Sequence, residues 1–583
     1  MDITTPHQRI VRRQTNKQAA LSDDMPALLQ RIYQHRGVTS CDVLEKGLQG
    51  LHDFRLLAGI DTATQCLFVA LQQQQRVLIV GDFDADGATS TALAVSALRC
   101  YGFKQVDYLV PNRFEFGYGL TPEIVALAIE KFQPQLIITV DNGIASMAGV
   151  DAANAAGIHV LITDHHLPGD TSPAAKAIVN PNQHGDTFPS KNLAGVGVIF
   201  YVMLAFRHFL REKNWFAENN LAEPNMAQFL DLVALGTVAD VVPLDKNNRI
   251  LVHQGIQRIR AGKCRAGIQA LLAVAKREPQ YLVATDLGFA VGPRLNAAGR
   301  LDDMSIGIEC LLSTLPAQAS ALATTLDDLN RQRRDIEADM KLQAFEAIQS
   351  LSLDGEMPLG LVLFDAKWHQ GVIGILAGRL KDKYHRPVIA FAKVDGGMLK
   401  GSARSVQGVH IRDVLDEIAT QNPGLIDKFG GHAMAAGLSI EEKHLSAFKK
   451  AFDGVVRKQI QPDVLKGQIV SDGELLEEEF SLATAELLRT AEPWGQGFPE
   501  PLFDGRFRIL DQRLVGNHHL KMVLQPADSS QQLDAIAFFV DTEQWPNAQC
   551  EWVHVAYRLD VNRFRGVQSV QLRVEWMDLS SRV

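Results

Sequence analysis

From residue 76 onward the chain alternates short, branched apolar runs with helix-like stretches, and no other feature limits its fold as strongly. RVLIV gives way to ATSTALAVSALRCYG, then VDYLV, TPEIVALAIEKF, LIITV, ASMAGVDAANAAG and HVLIT. Apolar runs of this kind, without polar alternation, are strands buried on both faces. Strand and helix in turn at this spacing build βαβ units. The pattern therefore predicts an α/β fold with a parallel sheet and helices on both faces.

Around that unit, residues 1–70 read as an N-terminal helical lead-in and 71–315 as the unit built on the sheet. Residues 316–352 have no glycine, carry Pro316 only at their start and are rich in helix formers, which predicts a connecting helix. A second, smaller α/β unit occupies 353–460, opening with PLGLVLFDAKWHQGVIGILAGRL. From 461 to 583, alternating segments such as HHLKMVLQ and VQSVQLRVEW predict a small antiparallel barrel or sandwich. At 583 residues, 46% hydrophobic and 21% charged, the chain has material for several cores. Its start has no signal-peptide stretch, and no run approaches the roughly 18 apolar residues of a membrane span, so a cytoplasmic protein without membrane contact is expected. The six cysteines form no CxxC pair, which argues against a thiolate zinc site and a disulfide framework. A net charge of −9 provides no global attraction for nucleic acid, so binding to a polyanion would rest on local cations.

Carboxylates and imidazoles recur where the predicted strands end. RVLIV is followed by Asp82, Asp84 and Asp86, LIITV by Asp141 and Asn142, and HVLIT by Asp164, His165 and His166. Asp240 interrupts the apolar, helix-like FLDLVALGTVADVVPL. The spacing Asp82-x-Asp84-x-Asp86-Gly is also the first half of a calcium-binding EF-hand loop, but the required acid at the twelfth position is Leu93, and a strand rather than a helix leads in. In an open parallel sheet the functional crevice lies beyond the carboxyl ends of the strands. Asp82, Asp84, Asp86, Asp141, His165 and Asp240 would converge there. Carboxylates with imidazole and no thiolate suit Mg²⁺ or Mn²⁺, and the set has ligands for two ions. Two such ions clamp the attacking and leaving oxygens of phosphorus, which points to phosphoester hydrolysis.

In order and context, DFDADG, VDNG, TDHH and GTVADVVPL resemble the four core motifs of the DHH phosphoesterases, and GGHAMAAG at 430–437 resembles the signature of their associated DHHA1 domain. GVGVIFYVMLAF, VGPRLNAAGRLDD, HQGVIGILAGRL, GSARS and EPWGQGFPEPLF extend the likeness toward the members that degrade single-stranded DNA from its 5′ end. The resemblance implies Asp84 and Asp86 as metal ligands with Asp82 beside them, Asp141 bridging two ions, and His165 and Asp240 completing the second site. It implies His166 near the scissile phosphate and Asp164 behind an imidazole. Ser402 and Arg404 in KGSARS could grip a terminal phosphate, although a hairpin turn explains the same residues. The resemblance favours the 5′-phosphate site. Gly430, Gly431 and Gly437 around His432 permit close approach of a phosphate backbone, or a tight junction of elements. Arg113 among Phe114, Phe116 and Tyr118 fits stacking of a single strand. By resemblance Arg113 contacts phosphate and Arg294 approaches the scissile group, both as substrate-binding residues and Arg294 also as a catalytic one. The C-terminal unit is implied to be an OB-like β-barrel. Implied partners are single-stranded DNA with a 5′ end, a single-stranded-DNA-binding protein and a DNA helicase, with the enzyme a monomer. The competing expectation is a DHH-family phosphodiesterase acting on short oligonucleotides or cyclic dinucleotides.

Overall fold

The computed structural model describes residues 8–14, 20–111, 119–353, 357–460 and 465–578, the side chains of 350–353 excepted. A short strand, β1 (Arg9–Arg12), precedes helices at Ala27–His35 and Ile60–Gln72. The helical lead-in expected for 1–70 is corrected at its start. A run of four residues carries no periodicity of its own, and β1 exists because residues 468–471 offer it a parallel partner.

Five parallel strands follow: β2 (Val77–Gly81), β3 (Val106–Leu109), β4 (Leu136–Val140), β5 (His159–Thr163) and β6 (Ala177–Val179), in spatial order β3-β2-β4-β5-β6. Their side chains alternate between two cores. Val77, Ile79, Leu136 and Ile138 join the core shared with helices Ala85–Tyr101 and Gly195–Glu212, whereas Leu78, Val80, Ile137, Val160 and Ile162 meet helices Pro122–Phe132 and Met147–Ala155. Burial of each such side chain contributes ~1.5–3 kcal/mol relative to exposure. The chain leaves β2 for β3 on one side, then crosses back to β4 on the other. The order therefore reverses between β2 and β4, which is where a parallel sheet opens a crevice. Helix Leu230–Ala239 is apolar all round, lies buried against this unit and has Asp240 as its C-cap.

The helix Pro316–Leu353 leads to a second sheet of β7 (Leu361–Phe364), β8 (Val388–Val394), β9 (Met398–Arg404), β10 (Lys428–Gly431) and β11 (Ala435–Glu441). Its order is β10-β11-β9-β8-β7, with only β7 and β8 parallel. Leu399, Ala403, Ala436, Leu438 and Ile440 enter one core, so Ser402 and Arg404 stand on the opposite face. After β12 (Gln468–Ser471), which runs beside β1, a closed barrel forms from β13 (Phe503–Val515), β14 (His519–Pro526), β15 (Leu533–Phe538), β16 (Trp552–Phe564) and β17 (Val567–Asp578). The order β13-β14-β15-β17-β16, closed by pairing of β13 with β16, is that of an OB-like barrel. It differs from the purely antiparallel expectation in one place, because β15 and β17 pair in parallel.

Ion pairs fasten the N-terminal segment to this region. Arg36 holds Asp472 with both guanidinium ends (2.5 and 2.8 Å), and Arg12 holds the buried Asp504 at 2.7 Å. Among the described residues, no single helix is long and apolar enough to cross a membrane.

Candidate metal centre and nucleic-acid cleft

The acids after β2 sit on the entry to helix Ala85–Tyr101. Asp84 is its N-cap, with Oδ1 accepting from the N–H groups of Asp86 (2.9 Å) and Gly87 (3.0 Å). Asp86, the second residue of that helix, is buried and caps a second helix: its carboxylate accepts from the N–H of Gly195 (2.6 Å) and of Val196 (2.9 Å) at the start of Gly195–Glu212. Asp141 follows β4 with φ at 63°, in the left-handed region, and its N–H donates to the Thr163 carbonyl at the end of β5. The next residue ties the switch point together, because the Asn142 side-chain amide donates to the carbonyls of Val80 (3.1 Å) and Val140 (2.9 Å). Gly195 is required by close approach. A Cβ there would lie 2.6 Å from Asp141 Oδ1.

These elements gather the donors. Ligand atoms of Asp82, Asp84 and Asp141 lie within 4.8 Å of one another, as do those of Asp86, His165 and Asp240, and those of Asp141, His165 and His166. His165 Nε2 is 3.1 Å from Asp141 Oδ1 and 3.6 Å from Asp240 Oδ2. Asp141 belongs to two of the three groups. Burial, and then repulsion from neighbouring acids, pushes Asp141 and Asp240 well above the usual carboxylate range, and Asp86 up to about 7. Burial pushes His165 down to about 4, helped by the charge of His166. So many repelling carboxylates in one crevice, beside an imidazole kept neutral, suit divalent cations, and an all-oxygen-and-nitrogen donor set suits Mn²⁺ or Mg²⁺.

Asp164 lies beneath. It accepts from the N–H groups of Ile144 (2.8 Å), His165 (2.7 Å) and His166 (3.1 Å), and meets His166 Nδ1 at 2.7 Å. Burial opposes a charged His166, but the bond to Asp164 and the charges of Asp164, Asp82 and Asp84 prevail and raise it to about 9. The two adjacent histidines are thus split, one neutral and one cationic. Asn182 and Asn180 fix the pair by donating to the carbonyls of His165 (2.6 Å) and His166 (2.8 Å).

The crevice opens into a cleft of about 560 Å³ between the two sheets, with Phe83 and Asp84 on one wall and Ser402, Arg404, Gly430 and Gly437 on the other. Arg404 is half-buried, which lowers its pKa. It donates to Ser402 Oγ (3.1 Å) and the Ala403 carbonyl (2.8 Å), and among the described residues no carboxylate pairs with it. A half-buried guanidinium with no carboxylate partner among the described residues suits an anion. Gly374, in the first turn of helix Ile373–Tyr384, completes the site, since a Cβ there would come within 2.9 Å of Ser402 Oγ. Gly431, with φ at 146°, shapes the β10–β11 hairpin, where a Cβ would lie 2.4 Å from the Ala435 carbonyl. His432 at its tip lies within electrostatic reach of His166. Its pKa is lowered first by partial burial and next by the charge of His166.

One expectation needs correction. Arg294 is not in the cleft: buried, it pairs with Asp327 on the long helix (2.8 Å) and donates to the Ala290 carbonyl (2.6 Å). The residues of its helix that do line the cleft are Asn296, which accepts from the Ala85 N–H at 2.7 Å, and Arg300, which donates to the Gly371 carbonyl at 3.0 Å. Helical spacing explains the exchange, because 296 and 300 share a face that 294 does not. Of the six residues expected to hold metal, Asp82, Asp84 and Asp141 fall in one group and Asp86, His165 and Asp240 in another. Arg113, Phe114, Phe116 and Tyr118 lie outside the described residues.

Comparison with known proteins converges on this arrangement. The family model for the DHH family, N-terminal domain, matches residues 76–237, that for the DHHA1 domain 359–458, and that for the RecJ OB domain 471–576. The single-stranded-DNA-specific exonuclease RecJ of Dickeya dadantii is 58% identical over 97% of this chain and 98% of its own length, and that of Escherichia coli is 55% identical over the same shares. A crystal structure of RecJ from Thermus thermophilus in complex with Mn²⁺ superposes with a TM-score of 0.76 at 28% identity, covering 98% of this chain and 80% of that one. A second crystal structure from that organism, with Mg²⁺, gives 0.71 at 26%, covering 98% and 78%. With three domains matched in order and the likeness sustained from end to end, the chain belongs to the RecJ family of single-stranded-DNA-specific exonucleases.

Proposed function

We propose that the chain hydrolyses single-stranded DNA from its 5′ end, releasing 5′-mononucleotides with the help of two divalent ions, Mn²⁺ or Mg²⁺. The observation that carries this reading is one cleft that meets the carboxylate cluster at Asp84 and holds, on its opposite wall, Arg404 beside Ser402, with no carboxylate paired to that arginine among the described residues. Asp82, Asp84 and Asp141 would hold one ion, and Asp141, His165 and Asp240 the other, with Asp86 steadying the cluster through the helix it caps. When bound, the ions supply Lewis acidity toward phosphorus and lower the pKa of water.

The chain's own groups account for the rest. Ser402 and Arg404 grip the terminal 5′ phosphate, which sets the distance to the bond that breaks. Water adds to the scissile phosphorus, the bond from phosphorus to the 3′ oxygen breaks, and that oxygen takes a proton. His166, cationic and aimed by Asp164, stands ready to donate this proton or to stabilise the charge on a phosphate oxygen. The walls belong to separate domains, and a passage between them that admits one strand would exclude a duplex. Arg113, Phe116, Tyr118 and His432 would steady the strand beyond. Resemblance to the family further supports a cytoplasmic monomer in DNA repair and recombination, supplied with substrate by a helicase and a single-stranded-DNA-binding protein. Gel filtration and binding to the purified partners test those contacts.

Arg404→Ala tests the reading of the cleft. Charge-assisted hydrogen bonds are worth ~1.5–3 kcal/mol, so KM for a 5′-phosphorylated strand should rise about tenfold or more, with a smaller change in kcat. A fall in kcat at constant KM would contradict it. Turnover confined to dinucleotides and other short fragments would favour the small-substrate phosphodiesterase instead.

A further inference from the structure

The cleft does not end at Ser402 and Arg404. On β9, β11 and β10 the residues facing away from the core align in cross-strand rows, fixed by register: Arg404 opposite Ala435, then Ser402–Gly437–Gly430, then Lys400–Ser439–Lys428. The hairpin tip that carries His432, close enough to feel the charge of His166, lies at the Arg404 end, so the lysine row is the one farther from the metal centre. It stands about 7 Å beyond Ser402 along the strand. All three rows contribute to the same cavity, whose lining includes four cations, Arg300, Lys400, Arg404 and Lys428, against the single carboxylate of Asp84. A terminal phosphate monoester carries a charge of about −1.5 to −2 and occupies one row. Two lysines flanking a serine one row further out exceed what that group needs. Glycines in the middle row keep the floor low between the two sites.

Resting on the exonuclease reading above, we infer that Lys400, Ser439 and Lys428 form a second anion subsite that receives the outer phosphates of a 5′-polyphosphorylated strand. A triphosphate seated with its inner phosphate at Ser402 and Arg404 extends its other two phosphates, joined through anhydride oxygens, toward the lysine row. The chemistry is unchanged. Water adds to the first internucleotide phosphorus, its bond to the 3′ oxygen breaks, and the 3′ oxygen is protonated. The first product is then a nucleoside 5′-triphosphate with a free 3′ hydroxyl, and the shortened strand carries an ordinary 5′ monophosphate. Every later product is a mononucleotide.

The test compares deoxyoligonucleotides of one sequence bearing a 5′ monophosphate or a 5′ triphosphate, using the full chain with Mn²⁺ and its Lys428→Gln variant. Lys428 is exposed on the edge strand of its sheet, so the substitution spares the core. The inference expects the triphosphorylated strand to be degraded with KM no higher than the monophosphorylated one, with one nucleoside triphosphate released per strand. Lys428→Gln should raise KM about tenfold for the triphosphorylated strand and less than twofold for the other. A triphosphorylated strand left intact while the monophosphorylated strand is consumed would overturn the inference, as would equal effects of Lys428→Gln on both. Failure to degrade either strand would instead overturn the exonuclease reading.

Discussion

In the function proposed above, Asp141 is the residue on which both ions depend. It is buried, held at positive φ, 3.1 Å from His165 Nε2 and common to two donor groups. Its raised pKa reports how unfavourable its charge is without cations nearby. Asp141→Ala should reduce hydrolysis by at least about a thousandfold, the several kcal/mol expected for a shared ligand. It should also leave the unfolding temperature in chelator unchanged or a few degrees higher, because a repelling charge is removed. Near-normal turnover would contradict the bridging role. At this scale the sequence was readable wherever a residue type is costly without a purpose: an acid or imidazole at the end of an apolar run marked Asp82, Asp84, Asp141, His165, His166 and Asp240. It was not readable where the role depends on which way a helix face turns. Arg294 and Arg300 are both arginines in GPRLNAAGR, and only packing against Asp327 and Gly371 tells them apart. Asn180, Asn182 and Gly195 left no signal beyond their small or amide side chains.

Elements meet the site through their ends. Asp84 begins a helix and also faces the cleft, and these two duties can be separated. Serine is as good an N-cap as aspartate. Asp84→Ser should therefore unfold within a few degrees of the parent in chelator, while Mn²⁺ affinity measured by calorimetry falls at least tenfold. A large loss of stability with affinity retained would make Asp84 a structural cap only. The strands, the long connecting helix and the C-terminal segments were legible because each carries a strong local signal: unbroken apolar runs, a long stretch of helix formers without glycine, and alternation of apolar with polar residues. The order β3-β2-β4-β5-β6, which puts the ends of β2 and β4 side by side, and the parallel pairing of β15 with β17 were not, since both are set by crossovers between distant segments.

The whole molecule is closed by a contact that no local pattern announces. β1 lies beside β12, and Arg12 and Arg36 reach the buried carboxylates of Asp504 and Asp472. Burial alone would raise both acids, yet Asp472 is held below the ordinary range chiefly by Arg36, and Asp504 by His554, Arg12 and Ser471. A carboxyl depressed in the folded state stabilises fully above its unfolded value of about 4, and that contribution is lost as pH falls through the folded value. Arg36→Met, which strips a buried ion pair of one partner, should cost about 3–5 kcal/mol at pH 7. The deficit should shrink as unfolding is followed down to pH 3. A deficit independent of pH would mean that Arg36 acts by packing alone.

The most direct test of the account is the fate of a long single strand labelled at either the 5′ or the 3′ end, incubated with Mn²⁺ beside a blunt duplex. Immediate release of 5′-labelled mononucleotide, late loss of the 3′ label and an untouched duplex are the predicted result. Release of the 3′ label first, or cleavage limited to fragments of a few nucleotides, would contradict it.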